Sequence, residues 1–127
     1  MLKTRIIGVL NILNGNVVQS FNFDKYLPIG KPEISLNYLD QWGIDEIILL
    51  DINKKNYKNN FNMAKFLSKS AARCNTPIAA GGGVRTILDI EKLIFNGADK
   101  VVINSHGHNN TKLFEEGSNK FGNQAIV

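Results

Sequence analysis

The sequence predicts an α/β fold: the first half of a (β/α)8 TIM barrel, with four strand and helix units and the start of a fifth strand. Apolar runs alternate with helical patterns along the chain. One unit also repeats, because residues 43–51 and 97–105 both place a glycine and an aspartate before an apolar strand. Polar residues follow these strands, and such a barrel keeps its chemistry at the C-terminal strand ends. We expect residues 1–127 to form one N-terminal half-barrel domain.

Apolar runs predict the parallel strands, since strands that are covered on both faces are almost continuously hydrophobic. These strands are predicted at residues 5–11, 47–51, 76–80 and 100–104, and residues 124–127 begin a fifth. Residues 12–23 alternate around Asn14-Gly15-Asn16, which predicts a hairpin between the first strand and the first helix.

Helix start and stop signals predict four helices between the strands. The first spans residues 32–42, the second follows a polar loop at 53–60 and ends near Cys74, the third begins after Thr86, and the fourth spans about 111–120. Thr86 and Asp89 have the spacing of a capping box. Trp42 and Phe66 are expected to face the core.

Composition and charge limit the classes of function that are expected of the chain. The chain is 43% hydrophobic and 20% charged, as expected of a soluble globular domain, and no apolar run approaches the ~20 residues of a membrane span. A cytoplasmic location without membrane contact follows as the expectation. The net charge of +4 suits an anionic small molecule, whereas the scattered Lys and Arg residues disfavour nucleic acid. The single cysteine, Cys74, is expected to be a half-buried thiol and not a nucleophile.

Three consecutive glycines, Gly81 to Gly83, lie between a predicted strand and a predicted helix. Glycine permits a sharp turn and a close approach of the backbone to a ligand, and N–H groups at the start of a helix attract anions. A phosphate is the usual ligand of such a loop. A loop that merely requires positive φ would have the same sequence.

Several segments together carry a family resemblance. They are Lys3-Thr4-Arg5-Ile6-Ile7, Asn14-Gly15-Asn16-Val17-Val18, Asp45-Glu46-Ile47-Ile48-Leu49-Leu50-Asp51-Ile52, Gly81-Gly82-Gly83-Val84-Arg85, Gly97-Ala98-Asp99-Lys100-Val101-Val102-Ile103-Asn104-Ser105 and Phe121-Gly122-Asn123-Gln124-Ala125-Ile126-Val127. In this order they resemble the first half of the imidazole glycerol phosphate synthase cyclase subunits of histidine biosynthesis. The sister isomerase barrels share the glycine triplet, but the segments around residues 51 and 104 are closer to the cyclases.

The resemblance implies a barrel without a cofactor that receives ammonia from a glutaminase (glutamine amidotransferase) subunit. The implied substrate is a bis-phosphorylated ribulosyl aminoimidazole carboxamide, and the implied lyase reaction closes the imidazole ring. Gly82, Gly83, Asn104 and Ser105 match one phosphate site of the family. Asp51 lies at a substrate-facing strand end, where capping of the following loop is an equally good explanation.

The starts of the strands carry charges that the resemblance also explains. Arg5, Glu46 and Lys100 match a charged gate through which ammonia enters the barrel, and Asp99 matches a position that faces the glutaminase. An ordinary surface salt-bridge cluster is the alternative.

Asn11 departs from the family. The cyclases have an aspartate there that acts as one of two general acid/base carboxylates, whereas an amide has no useful pKa. Relatives that build acetamidino sugars for surface polysaccharides, from a nucleotide-sugar, also depart at this position. The second carboxylate and the second phosphate site are expected in the half that follows. Three hypotheses therefore remain: a cyclase, an ammonia-channelling subunit for sugar amidation, or an inactive half-barrel that binds phosphate.

Three further expectations concern loops and assembly. His106 and His108 have metal-like spacing, but no third ligand is evident, so no metal is predicted and both are expected to face solvent. Residues 54–58 mix lysines with an aromatic and are expected to form a loop over an anionic substrate. Open sheet edges predict a homo-oligomer or pairing with a second half-barrel.

Overall fold

A computed structural model describes residues 2–53 and 61–127, so the loop predicted over the substrate, residues 54–58, lies outside the described residues. Its strands are β1 (Ile7–Leu13), β2 (Asn16–Phe21), β3 (Lys25–Gly30), β4 (Glu46–Asp51), β5 (Ile78–Gly81) and β6 (Lys100–Val102). Its helices are α1 (Pro32–Gln41), α2 (Met63–Ser70), α3 (Ile87–Phe95), α4 (Ser105–Asn109) and α5 (Thr111–Phe121). The order confirms the predicted alternation of strands and helices.

The strands form one sheet in the order β3-β2-β1-β4-β5-β6. Strands β1, β4, β5 and β6 are parallel, whereas β2 and β3 extend the sheet as an antiparallel hairpin. Because parallel strands share a direction, the last residues of all four lie at one edge of the sheet, and their first residues lie at the other.

The two faces of the parallel sheet differ in burial. The face toward the helices carries Ile12, Ile47, Leu49 and Val101, which are fully buried in the main hydrophobic core. On the opposite face of β1, about half of the surface of Ile7 and Val9 is exposed. One covered and one open face, with helices between parallel strands, make this a partial (β/α) barrel, as predicted.

The hairpin is present and longer than predicted. Its first turn has Asn14 and Gly15 at positive φ, of 50° and 77°, which suits a two-residue connection between antiparallel strands. Strand β3 was not predicted, because Pro28 interrupts its pattern and proline cannot donate to a ladder. An edge position tolerates it, and Pro28 pairs with Val18 on the one side that has a neighbour.

Two predictions need correction. Trp42 is 72% exposed because it is the C-cap of α1, beyond the face that packs on the sheet, so its assignment to the core was wrong. Phe66 is buried, as predicted. In the predicted fifth strand, residues 123–125 form a 3-10 turn, and only Ile126 makes a parallel bridge, to Val101.

Candidate ligand-binding cleft

A cleft of about 560 Å³ opens at the C-terminal ends of the parallel strands. Its described lining includes every residue that the sequence assigned to catalysis or phosphate binding: Asn11, Asp51, Gly82, Gly83, Asn104 and Ser105. Phe23, Arg85 and His106 also line it. The structure therefore brings together side chains that are up to about a hundred positions apart in sequence, because β1, β4, β5 and β6 end side by side.

Gly82 and Gly83 turn the chain between β5 and α3, and their requirements differ. Gly82 has φ of +110°, and a Cβ on it would lie 2.2 Å from the backbone oxygen of Asp51. Gly83 has φ of +67°, and a Cβ on it would meet nothing within 4 Å. Gly82 is thus required by packing against β4, whereas Gly83 presents open space to a ligand.

The start of α3 is already capped from within the chain. The Thr86 hydroxyl accepts from the Asp89 N–H, and the Asp89 carboxylate accepts from the backbone N–H groups of Arg85 and Thr86, each at 3.0 Å. This confirms the predicted capping box. The backbone N–H groups of Gly83 and Val84 have no acceptor among residues 2–53 and 61–127, whereas that of Gly82 lies at the end of the β5–β6 ladder, in which Gly81 pairs with Val102. An anion at this turn would therefore meet the Gly83 and Val84 amides and not those of the capped helix.

Asn11 and Asp51 lie on neighbouring strands at the floor of the cleft. Asn11 is half-buried and pairs in register with Leu50, the residue before Asp51. The Asp51 carboxylate accepts hydrogen bonds from the backbone N–H of Asn53, at 3.1 Å, and from its side-chain amide. Asp51 thus caps the turn that leaves β4 while its side chain borders the cleft, so both functions anticipated for it are compatible with its position.

Asn104 and Ser105 follow β6 and are both exposed at the cleft. Asn104 has the unusual dihedral angles φ −121° and ψ −94°, which turn the chain sharply from the strand into α4. Neither side chain makes a hydrogen bond to another residue in the part of the chain that the structure describes. Their amide and hydroxyl groups are therefore available to a ligand.

The residues of the predicted ammonia gate lie at the opposite edge of the sheet. Lys100 Nζ lies 3.2 Å from each carboxylate oxygen of Glu46, and this ion pair spans the start of β5. The Glu46 side chain is 8% exposed and that of Lys100 is 30% exposed. Arg5 is exposed and precedes β1. The structure therefore joins two of the three predicted gate residues in one partly buried pair.

Asp99 and its counterpart in the repeated unit, Asp45, have the same structural role. The Asp99 carboxylate accepts from the backbone N–H of Ile78, at 2.8 Å, and the Asp45 carboxylate accepts from that of Ile6, at 2.7 Å. Each aspartate also donates its own N–H to the carbonyl of the same partner. The internal repeat thus preserves a bond that fixes the start of one strand against the next.

Cys74 lies on the helical side of the sheet, away from the cleft. It is half-buried, and its thiol donates to the carbonyl of Thr76 at 3.4 Å. Burial raises the pKa of the Cys74 thiol, so little thiolate is present near neutral pH. This environment agrees with the prediction of a structural thiol.

Phe23, Arg85 and His106 were not among the predicted ligand residues. Phe23 lies in the β2–β3 turn with φ of 56°, rare for a large side chain, and no sequence pattern signals it. Arg85 lies two positions after the glycine triplet, and this closeness was a usable signal. His106 was expected to face solvent, but it is half-buried and borders the cleft, whereas His108 is exposed.

Residues 2–53 and 61–127 contain no group of three or more His, Cys, Asp and Glu side chains arranged to hold a metal ion. No helix in the same residues is long and apolar enough to cross a membrane.

A comparison with protein-family models gives the wider context. The family described as "Histidine biosynthesis protein" matches residues 5–127, which is nearly the whole chain. The match includes all of the parallel strands and every residue of the cleft. The partial (β/α) barrel, the polar cleft at its C-terminal strand ends and this match agree, and the chain belongs to the histidine biosynthesis protein family.

Proposed function

We propose that this chain is an imidazole glycerol phosphate synthase cyclase-like subunit, which binds a phosphorylated substrate in the C-terminal cleft and uses ammonia from a glutaminase partner. The observation that carries the proposal is the convergence of open polar groups on one cleft. The Gly83 and Val84 amides follow one strand end, and the Asn104 and Ser105 side chains follow the next. Such donors match the acceptor oxygens of a phosphate monoester.

The ion pair of Glu46 and Lys100 supports the ammonia route. Both residues lie at the starts of strands, and Ala79 of β5 pairs with Lys100 of β6, so the pair is near the N-terminal end of the open sheet face. A partly buried ion pair is costly unless its charges are well matched, as they are between Glu46 and Lys100. Ammonia entering at this end would travel along the open face toward the cleft.

Asn11 limits the chemistry that this chain can perform. The side-chain amide of Asn11 can orient a substrate by hydrogen bonds, but it cannot accept and release a proton near neutral pH. General acid/base catalysis of ring closure requires such a group. Asn11 therefore favours a second candidate, an ammonia-channelling subunit for acetamidino-sugar synthesis, in which the barrel binds a nucleotide-sugar or passes ammonia to another enzyme.

Substrate binding is tested by titrating the ¹⁵N-labelled chain with ribose 5-phosphate and, as a control, with ribose. We expect amide shifts at Gly82, Gly83 and Ser105 with the phosphate ester only. Asn104→Ala should weaken these shifts, whereas Asn96→Ala, at the end of α3 and outside the cleft, should not. Shifts that map to other residues would contradict the phosphate site.

Turnover separates the two candidate functions. With ammonium ions and the bis-phosphorylated substrate, we expect the chain to form no imidazole glycerol phosphate, and Asn11→Asp alone should not create activity because the family's carboxylates act as a pair. Turnover by the purified 127-residue chain would contradict this expectation and favour the cyclase. Amidination of a nucleotide-sugar with a glutaminase present would favour the second candidate.

A further inference from the structure

His106 differs from His108 in what its side chain can reach. Both are on the short helix α4, but His106 is half-buried and borders the cleft, whereas His108 is exposed and does not border it. His106 directly follows Ser105, and it lines the same cleft as the Gly82-Gly83 turn. An imidazole can donate a hydrogen bond to a phosphate oxygen, and it does so more strongly when it is protonated.

The orientation of α4 is fixed by packing. Gly107, between the two histidines, is buried, and a Cβ on it would lie 2.3 Å from the ring of Phe114 on α5. The helix is therefore held with Gly107 against α5, and it cannot turn without losing this contact. His106 remains at the cleft as a consequence.

Arg85 provides a cationic side chain in the same lining. It is half-buried and borders the cleft, and its backbone N–H is held by Asp89. Its guanidinium makes no ion pair with the described residues. The charged groups in the described lining are Arg85 and Asp51, and the Asp51 carboxylate already accepts two hydrogen bonds from Asn53. The β5 and β6 ends thus present positive and donor groups together.

We propose that His106 and Arg85 are ligand-binding residues that together form a clamp, in which both bind an oxyanion seated over Gly82, Gly83, Asn104 and Ser105. The ligand class is a phosphate monoester, and the clamp supplements the amide and hydroxyl donors with a guanidinium fork and an imidazole. This inference rests on the proposed phosphate site and adds two residues to it that the family resemblance does not supply.

The chain contains two histidines, so its imidazole NMR spectrum reports on both directly. The Cε1–H signals, assigned with His108→Asn, are followed during titration with inorganic phosphate and with ribose 5-phosphate at constant ionic strength set by chloride. We expect the His106 signal to move with the same midpoint as the Gly83 amide, and the His108 signal to remain unchanged.

Substitutions give the second measurement. His106→Asn and Arg85→Met should each weaken binding of ribose 5-phosphate by about 10-fold or more, the usual effect of losing one charge-assisted hydrogen bond. His108→Asn is the matched control and should bind as the unmodified chain does. Unchanged thermal unfolding of each variant would show that the fold is retained.

The outcomes distinguish the inference from the function on which it rests. Shifts at Gly83 with an unmoved His106 signal, and unchanged affinity in His106→Asn and Arg85→Met, would overturn the clamp and leave the phosphate site intact. No shift at either residue would overturn both. Coincident shifts at Gly83 and His106, with weaker binding by both cleft variants, would support the clamp.

Discussion

The polar side chains at the two ends of the parallel strands differ in their hydrogen bonds within the chain. At the N-terminal end, the carboxylates of Asp40, Asp45 and Asp99 accept backbone N–H groups, and Glu46 pairs with Lys100. At the C-terminal end, the side chains of Asn11, Asn104 and Ser105 make no hydrogen bond to the residues that the structure describes. These polar groups at the first end therefore stabilise the fold, and Asn11, Asn104 and Ser105 at the second end are available to a ligand.

The difference separates stability from binding. A substitution at the N-terminal end should lower the free energy of unfolding whether or not ligand is present, because it removes bonds within the chain. A substitution at the C-terminal end should change ligand affinity with little effect on stability. The following experiments test this division, beginning with the largest expected effect.

Substitution of Gly82 should cause the largest loss of stability, although Gly82 lies at the C-terminal end, where other substitutions should have little effect on stability. Gly82→Val places a Cβ 2.2 Å from the backbone oxygen of Asp51 at φ of +110°, so the free energy of unfolding should fall by about 3 kcal/mol or more. Gly83→Asn is the control, because asparagine tolerates φ of +67° and its Cβ is unobstructed; it should cost about 1 kcal/mol or less. Urea unfolding measures both, and equal stability of the two variants would contradict the contact.

Asp40 should give the largest effect at the N-terminal end. Its carboxylate accepts from the N–H groups of Asn75 and Thr76 and from the Thr76 hydroxyl, at 2.7 to 3.1 Å. Asp40→Ala should lower the free energy of unfolding by about 2 kcal/mol, since these donors lose their acceptor. Asp24→Ala, at an exposed turn, should change it by less than about 0.5 kcal/mol. If Asp40→Ala left the free energy of unfolding unchanged, it would contradict the stabilising role of the polar groups at the N-terminal end.

Asp45 and Asp99 should have equal, smaller effects. Each carboxylate accepts one backbone N–H at the start of a neighbouring strand, so Asp45→Ala and Asp99→Ala should each cost about 1 kcal/mol in urea unfolding. The two values should agree within about 0.5 kcal/mol because the repeated units are equivalent. If Asp99→Ala left stability unchanged and weakened binding of a glutaminase instead, its main role would be in the partner interface.

The Asp40 contribution should depend on pH. The hydrogen bond from the Thr76 side chain, followed by those from the backbone, holds the pKa of Asp40 below its usual value. A lowered pKa in the folded state gives stability that is complete above the unfolded pKa and is lost as pH falls through the folded pKa. The stability difference between the unmodified chain and Asp40→Asn should therefore be constant above about pH 5 and decrease below about pH 4. A difference that stays constant down to pH 2 would contradict this bonding.

Asn104 and Ser105 should have the smallest effect on stability. Asn104→Ala and Ser105→Ala should each change the free energy of unfolding by less than about 0.5 kcal/mol, because neither side chain bonds to the described chain. Together they should weaken ribose 5-phosphate binding by about 10-fold or more. A clear loss of stability without loss of ligand binding would show that these residues stabilise the fold and do not bind the ligand.

Much of the fold could be predicted because it depends on local rules. Apolar runs gave the parallel strands, and Thr86 with Asp89 gave the start of α3, since a capping box involves neighbours only. Helix α4 was missed because Ser-His-Gly-His-Asn has poor helix formers, and packing of Gly107 under Phe114 stabilises it instead. Trp42 was misplaced because periodicity does not show where the last turn of a helix leaves the core.

The site was predictable to the same extent. Parallel strands bring their C-terminal residues to one edge, so strand positions predicted that Asn11, Asp51, Gly82 and Asn104 lie at one edge, whereas their assignment as ligand or catalytic residues came from the family resemblance. Phe23 and His106 could not be assigned to the cleft, because the orientations of their side chains depend on a turn with positive φ and on the packing of α4, respectively. Strand ends follow from the sequence pattern, whereas the loops that complete the site follow from tertiary contacts.

The edge strands have a further consequence, for aggregation. Sheets usually grow into fibres when another chain adds to a row of unpaired backbone groups. Strand β3 forms one edge and contains Pro28, which has no N–H to offer to an incoming strand. At the other edge, Val127 exchanges hydrogen bonds with Val101 and Ile103 and covers β6. Pro28 is the reason that β3 was not predicted from the sequence, and it also makes the addition of another chain at this edge of the sheet less favourable.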